Sequence, residues 1–380
     1  MSARVTVAVS ATASPPPAPK TVTGTLFLAG VAVGSTAVNR IGGLTEFRTI
    51  YGARTVTNAA VHDALQVFFA EGGSVAYVVA VATAPTGVGA DTWGAVLEDF
   101  TADLGPGVVA IAGIDSATAD VFVGAHCLAT GRLGLVCGPE SQTAANAVIA
   151  ATAAAGEDGA EHLIYVWPWV TIPGLADPVE PIGFAAGVRA RAHTSPAGPA
   201  QSPIAADFGT SRFVNGVETA VTDAEFDTLN TGKVSTVRVV GGKLRMYGWK
   251  TVANPEGDTT GNLAGGQFRD LINAVVWEAS QIGEQYVGAL VDGRGVTLGA
   301  FAGDLTGMCA KYAATGALFA RLDDDGKPLD GGYVVNVGPD VNPPADLAAG
   351  ELKAEIGLRL SPSAEWVTIT IQVADAAGTI

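Results

Sequence analysis

The stretch Leu65-Gln66-Val67-Phe68-Phe69-Ala70-Glu71-Gly72-Gly73-Ser74-Val75-Ala76-Tyr77-Val78-Val79-Ala80-Val81 decides the fold class. Its first half continues a run in which Val61, Leu65, Phe68 and Phe69 fall on one helical face, with Thr57 or Asn58 placed to cap the start. Gly72-Gly73 stops that helix, because glycine enters the left-handed conformation of a C-cap without strain. The segment 75–81 is then apolar throughout, as expected of a strand covered on both faces.

The same alternation extends outward in both directions. Strands are predicted at 26–33, 108–114, 132–137 and 162–169, separated by helices near 117–130 and 142–155 and by a helix marked by Trp93, Val96, Leu97 and Phe100. Gly241-Gly242 reads as the turn of a hairpin with strands near 236–240 and 245–250. Residues 22–253 are therefore expected to form an α/β domain with a mostly parallel sheet. Residues 254–266, NPEGDTTGNLAGG, read as a linker. Beyond it Phe268, Leu271, Ile272, Val275, Val276, Ala279 and Ile282 keep helical spacing. A second helix is predicted over 304–321, and strands at 333–337, 352–360 and 367–373. A smaller α+β domain over 263–365 follows from this pattern, giving a mixed α/β (α+β) chain.

Both ends carry strand periodicity. Val5, Val7 and Val9 alternate with Arg4, Thr6, Ala8 and Ser10, and Pro15, Pro16, Pro17 and Pro19 then form a stiff spacer. Residues 1–21 are thus an extended arm without a local partner. In 366–380, Val367, Ile369, Ile371 and Val373 alternate against Trp366, Thr368, Thr370 and Gln372. Strands of this kind suit addition to the sheet of another subunit, where main-chain hydrogen bonds supply affinity.

Composition narrows the functional classes. The 380 residues hold 21 Lys+Arg against 37 Asp+Glu, a net charge of -16, and only 15% are charged, against roughly 25% in ordinary soluble domains. An acidic chain lacks the basic surface that neutralises phosphates, so nucleic acid is not an expected partner. Apolar windows are too short to span a bilayer, and the first residues lack the apolar core of a secretory signal. Cys127, Cys137 and Cys309 are odd in number without a CxxC, which predicts reduced, packed thiols. Charge alternates along the chain: 61–161 has twelve acids against Arg132 alone, whereas 233–250 has five basic groups and no acid. Such segments suit complementary contacts between copies of one chain.

Catalytic signatures are missing from the sequence. There is no GxxxxGK[ST], no GxGxxG after the first strand, no GxSxG and no HExxH. His62, His126, His162 and His193 are scattered. His126 and Cys127 are neighbours on a predicted helix and so do not face each other. Asp323-Asp324-Asp325-Gly326 lacks the ligand spacing of a calcium loop and reads as a turn. Trp167-Pro168-Trp169 reads as a strand end packed on its neighbours, and Glu98-Asp99 and Glu157-Asp158 as surface pairs. No cofactor or metal is expected.

Several segments, in order along the chain, resemble the sheath proteins of contractile phage tails and R-type pyocins. Leu65–Val79 resembles the family segment "FF.nGG...yvvrv"; Gly43-Leu44-Thr45-Glu46-Phe47 with Tyr51-Gly52 resembles "S..dF...fG". Val221–Asn230 resembles "ltd.e.d.Ln", and Tyr247-Gly248-Trp249-Lys250-Thr251 resembles "wGarT". Thr315-Gly316-Ala317-Leu318 fits "GaL.G". The stretch from Gly350 to Leu360, followed by Ala364-Glu365-Trp366-Val367, resembles "G.l.v.Igl.p..PaEfi.i.i". The family's "PGVY.eE" opening is replaced here by Val5–Val9 and prolines. The length matches the short sheaths.

The resemblance implies a non-enzymatic homo-oligomer. It would form a helical mesh around an inner tail tube, between baseplate and tail terminator, that shortens to drive the tube through an envelope. Its place would be the tail of a virion or phage-tail-like particle assembled in the bacterial cytoplasm. The arm residues Val5, Val7, Val9, Val367, Ile369, Ile371 and Val373 would link subunits. Lys311 and Arg321, on the predicted 304–321 helix, would meet the tube. The alternatives from other classes are an α/β enzyme binding a nucleotide or small metabolite, and a non-contractile shell protein.

Overall fold

The computed structural model describes residues 24–87, 91–255, 257–258 and 263–364. Along the chain, β1 (Leu26–Val31) and β2 (Asn39–Ile41) precede α1 (Leu44–Tyr51) and α2 (Ala59–Glu71). Then come β3 (Ala76–Val81), α3 (Trp93–Leu97), β4 (Val108–Ile111), α4 (Ser116–Thr130), β5 (Leu133–Val136), α5 (Ala144–Ala154) and β6 (Leu163–Trp167). The short β7 (Val170–Thr171), α6 (Ile182–Ala192), α7 (Ala206–Gly209), β8 (Gly216–Val217) and α8 (Asp223–Thr231) lead to the hairpin β9 (Val234–Val240) and β10 (Lys243–Tyr247). After it lie α9 (Gly266–Glu284), α10 (Val296–Ala314), β11 (Tyr333–Asn336), α11 (Pro344–Ala348) and β12 (Glu355–Leu358).

Among the described residues the main sheet has eight strands in the order β10-β9-β6-β5-β4-β1-β3-β2. The inner six are parallel, and β10 and β2 close the two edges in antiparallel pairing. Alternation divides the side chains between two cores. Leu26 and Leu28 pack with α2 and α6 on one face, through Val61, Leu65, Phe68, Phe184 and Val188. Phe27 and Ala29 pack on the other with α3, α4 and α5, through Trp93, Leu97, Val123 and Ala147. The predicted stop after Glu71 is present, with Gly72 left-handed at φ 119 and bonded to the carbonyls of Phe68 and Phe69. Asn58 does stand at the N-cap, but its side chain instead accepts from Thr55 N at 2.7 Å and braces the preceding turn.

Helix α6 is absent from the sequence reading. All eleven of its residues are buried, so it shows no amphipathic stripe. It lies against α2 so closely that a Cβ on Gly183 would sit 2.3 Å from the Ala64 carbonyl oxygen. Two arginines of α6 hold ion pairs in the interior. Arg189 Nε donates to Asp270 Oδ2 of α9 at 2.9 Å, fastening α9 to the sheet. Arg191 donates to the Glu71 carbonyl at 2.6 Å and to its carboxylate at 3.2 Å. That carboxylate also accepts from Ser211 Oγ and from the amides of Arg212, Phe213 and Val214 at 2.6–3.0 Å. Glu71 thus fixes the chain leading into β8.

A third core is formed by α9, α10 and the β11–β12 pair around Leu271, Val275, Phe301, Leu305, Met308 and Tyr312. The second helix is displaced from its predicted 304–321 position. It starts at Val296, because Gly299, Gly303 and Gly307 weaken its sequence signal without breaking it. It ends at Ala314, since Gly316 takes φ 78 and turns the chain away. The predicted strand 352–360 is confined to Glu355–Leu358, antiparallel to β11.

Candidate functional site

Two places bear on function: the switch point of the parallel sheet, where an enzyme would bind its ligand, and the surfaces available for assembly. Strand β1 is flanked by β3 on one side and β4 on the other, and open α/β sheets bind ligands beyond the carboxyl ends of strands at such a point. Here that crevice measures about 170 Å³ and is bounded by Arg54, Asp63, Gly113, Trp169 and Glu180. Drug-sized ligands occupy roughly 300–1,000 Å³. Glu180 fills the crevice, accepting the Gly113 amide at 2.9 Å, and burial raises its carboxyl to about 7.

Beside it runs a chain of charges that sequence spacing could not reveal. Arg48 Nε donates to His62 Nε2 at 3.3 Å, which places the ring proton on Nδ1, 2.9 Å from Asp63 Oδ1. Arg54 holds the same carboxylate at 2.7 and 2.8 Å. Burial alone would raise the Asp63 carboxyl, but the bonds from His62 and Arg54 more than offset it, and its pKa lies below the ordinary value. No serine, threonine or cysteine lines this crevice, so the His–Asp pair has no nucleophile to serve. It joins α1 to α2 instead.

The other sequence candidates for chemistry are also engaged structurally. Burial pushes the Cys127 thiol up, leaving it protonated and unreactive. Burial together with the Arg132 charge lowers His126 to about 4, and its Nε2 lies 3.2 Å from Arg132. Arg132 itself is fully buried over the Phe27 ring and donates to the carbonyls of Phe100, Thr101 and Gly105. Trp167 and Trp169 donate to the carbonyls of Gln142 and Gly138, packing as the sequence suggests. Asp323–Gly326 is a turn in which Asp323 Oδ1 accepts the amides of Asp325 and Lys327. Among the described residues no group of three His, Cys, Asp or Glu could hold a metal.

The assembly surface differs from its expected form. Val5, Val7, Val9, Val367, Ile369, Ile371 and Val373 lie outside the described residues. Lys311 is on α10 and half-exposed, with its Nζ 3.2 Å from Glu278 Oε1 of α9, and that oxygen also accepts from Tyr312 OH at 3.0 Å. Arg321 is not on this helix. It lies seven residues past its end, exposed, with its amide donating to Asp330 and its carbonyl accepting from Leu329 at 2.6 Å. The two cations therefore occupy different elements.

The same part of the chain exposes apolar groups. Val287 and Leu290 are exposed in the turn between α9 and α10, with Val276 and Val296 on the helices themselves. Phe319, Leu322, Leu329 and Val334 are exposed beside the β11–β12 pair. Two strands make a marginal sheet on their own.

No protein-family model matches the chain, and no curated protein matches it in sequence. Solved structures do. A protein of the anti-feeding prophage baseplate aligns over 93% of this chain and 94% of its own, with a TM-score of 0.72 at 16% identity. The sheath complex of the PVC extracellular contractile injection system, in its contracted state, aligns over 93% and 92%, with a TM-score of 0.70 at 17% identity. The contracted helical sheath of the anti-feeding prophage gives 92% and 93%, with a TM-score of 0.67 at 16% identity. Over nearly its whole length, the chain has the fold of contractile-injection-system sheath proteins.

Proposed function

We propose that this chain is the structural sheath subunit of a contractile tail or injection system. The observation that carries the reading is the extent of the fold likeness, which covers 93% and 92% of this chain in two contracted sheath structures. The cramped switch-point crevice favours it over a metabolite-binding enzyme. In this reading residues 22–253 form the outer domain and 263–365 the inner one. The 1–21 arm and the 366–380 strand, through Val5, Val7, Val9, Val367, Ile369, Ile371 and Val373, extend the two-stranded sheets of neighbouring copies. Free strand edges are a hazard for a monomer and an asset for a mesh. Head-to-tail contacts that do not close on themselves generate a helix.

The partners in this account are further copies of the chain, an inner tube, and the baseplate and terminator that bound its length, in a phage-tail-like particle assembled in a bacterial cytoplasm. Lys311 and Arg321 are the cations offered to the tube. Removing residues 1–20 tests the arms. The shortened chain should sediment as a folded monomer under conditions in which the full chain polymerises, and sheaths of normal length from it would refute the arm assignment.

A further inference from the structure

Helices α4 and α5 lie side by side on one face of the main sheet, and their solvent sides carry no charge among the described residues. On α4, Val121, Ala125 and Leu128 form an exposed stripe, and Ile149 is exposed on α5. Val121, Leu128 and Ile149 are 40%, 54% and 66% exposed, whereas Asp120, the one acid of the two helices, is buried. A surface helix ordinarily turns charged groups away from the core, so this side is built to be covered. Its margin is acidic. Glu98 and Asp99 are exposed after α3, which lies against α4 where Gly94 meets Phe122. Glu157 and Asp158 are exposed after α5, with the Asp158 carbonyl set against Gly124 of α4. Between 91 and 161 the only lysine or arginine is Arg132, which is fully buried.

A cover for this face needs apolar groups with positive charge around them, and the chain has such a surface. The segment 233–250 holds five basic residues and no acid. Strand β9 pairs with β6 over Val234–Thr236, so its remainder and the turn after it extend beyond β6. Gly241 and Gly242 make that turn in the left-handed region, with open space around both. Val239 is 55% exposed just before the turn, and Lys243 is exposed just after it. The Ser211 amide donates to the Leu244 carbonyl at 2.9 Å, which brings the exposed Arg212 to the same tip. Among the described residues no carboxylate is paired with the side chain of Lys243 or of Arg212.

We propose that the β9–β10 hairpin of one copy docks on the α4–α5 face of a second copy, with Val239 on the Val121, Leu128 and Ile149 surface and the cations on the acidic margin. The two surfaces are different parts of the chain, so the contact is head-to-tail and each copy can give one and receive one. A single hairpin tip covers little area, which puts the contact in the weak, transient class and leaves the terminal arms necessary for polymerisation. The proposal does not rest on the sheath reading: that reading fails if tubes are absent, whether or not two copies meet in this way.

Cross-linking of the full chain tests the proposal. Cys127, Cys137 and Cys309 are buried, so an engineered surface cysteine is the site a maleimide reaches. Val239→Cys copies mixed with Ile149→Cys copies and treated with a short bismaleimide should give a covalent dimer containing one of each. Neither variant alone should do so, and Val56→Cys, equally apolar and more exposed but outside the basic segment, should not replace Val239→Cys. Adding Lys243→Glu to the hairpin copy should lower the yield about tenfold, because attraction to the acidic margin becomes repulsion. About 1 M salt, where charges are screened beyond about 3 Å, should lower it as well. No mixed dimer, or an equal yield with Val56→Cys, overturns the proposal. So does cross-linking of Ile149→Cys to itself, because the face then covers its own counterpart, and so does a yield indifferent to both Lys243→Glu and salt.

Discussion

Replacing Glu180 with glutamine should make the protein more stable at pH 8 while changing little at pH 4. The carboxyl is buried, its bond to the Gly113 amide only partly compensates, and the nearby Asp115 adds repulsion, so its pKa rises from 4.5 to about 7. The folded state therefore holds this proton more tightly than the unfolded chain does. Below about 4.5 both states are protonated and the preference for the neutral form is fully available. As pH rises towards 7 the unfolded chain ionises first, and the stabilisation is lost, completely so above about 7. At about 1.4 kcal/mol per tenfold change in proton affinity, the swing is about 3 kcal/mol. Glutamine keeps an acceptor for Gly113 and cannot ionise. Urea unfolding of both proteins, followed by tryptophan emission from pH 4 to 8, should show the variant gaining about 3 kcal/mol on the wild type across that range. A difference that is flat with pH would refute the assignment of a buried, neutral-favouring Glu180.

Two further outcomes follow from the interior and one from the surface. Burial pushes the Asp270 carboxyl up, but the Arg189 charge and then His193 more than offset this and hold it below its ordinary value. Asp270→Ala leaves Arg189 buried beside a lost partner and should destabilise by about 3–5 kcal/mol in urea unfolding, with α9 exchanging its amides first. Gly183→Ala places a methyl 2.3 Å from the Ala64 carbonyl oxygen and should lower stability by about 1–3 kcal/mol in the same assay. Reversing Lys311 and Arg321 to glutamate should impair tube-templated assembly while leaving the monomer folded by circular dichroism, and unimpaired assembly would remove both from the tube contact.

Much of the sheet was legible because burial on both faces leaves unbroken apolar runs such as 75–81, and because Gly72-Gly73 and Gly241-Gly242 punctuate sharply. Helix α6 was not legible, since its interior is reached from all sides and its arginines read as surface until Glu71 and Asp270 are seen beside them. The same blindness hid Glu71 itself, whose partners at 211–214 lie 140 or more residues away. Helix α10 was misplaced because glycines at every fourth position lower helix propensity while leaving the geometry intact. The local switch-point chain Arg48–His62–Asp63–Arg54 depends on how α1 meets α2, which no spacing encodes. The ordered motifs point to the sheath fold without the structure, whereas the two cations assigned to the tube share no helix.

Negative-stain electron microscopy of the purified full-length chain at high concentration tests the central claim most directly. The account predicts helical tubes with a hollow lumen, built from this one chain. Discrete particles of fixed size at every concentration, with or without an inner tube as template, would contradict it.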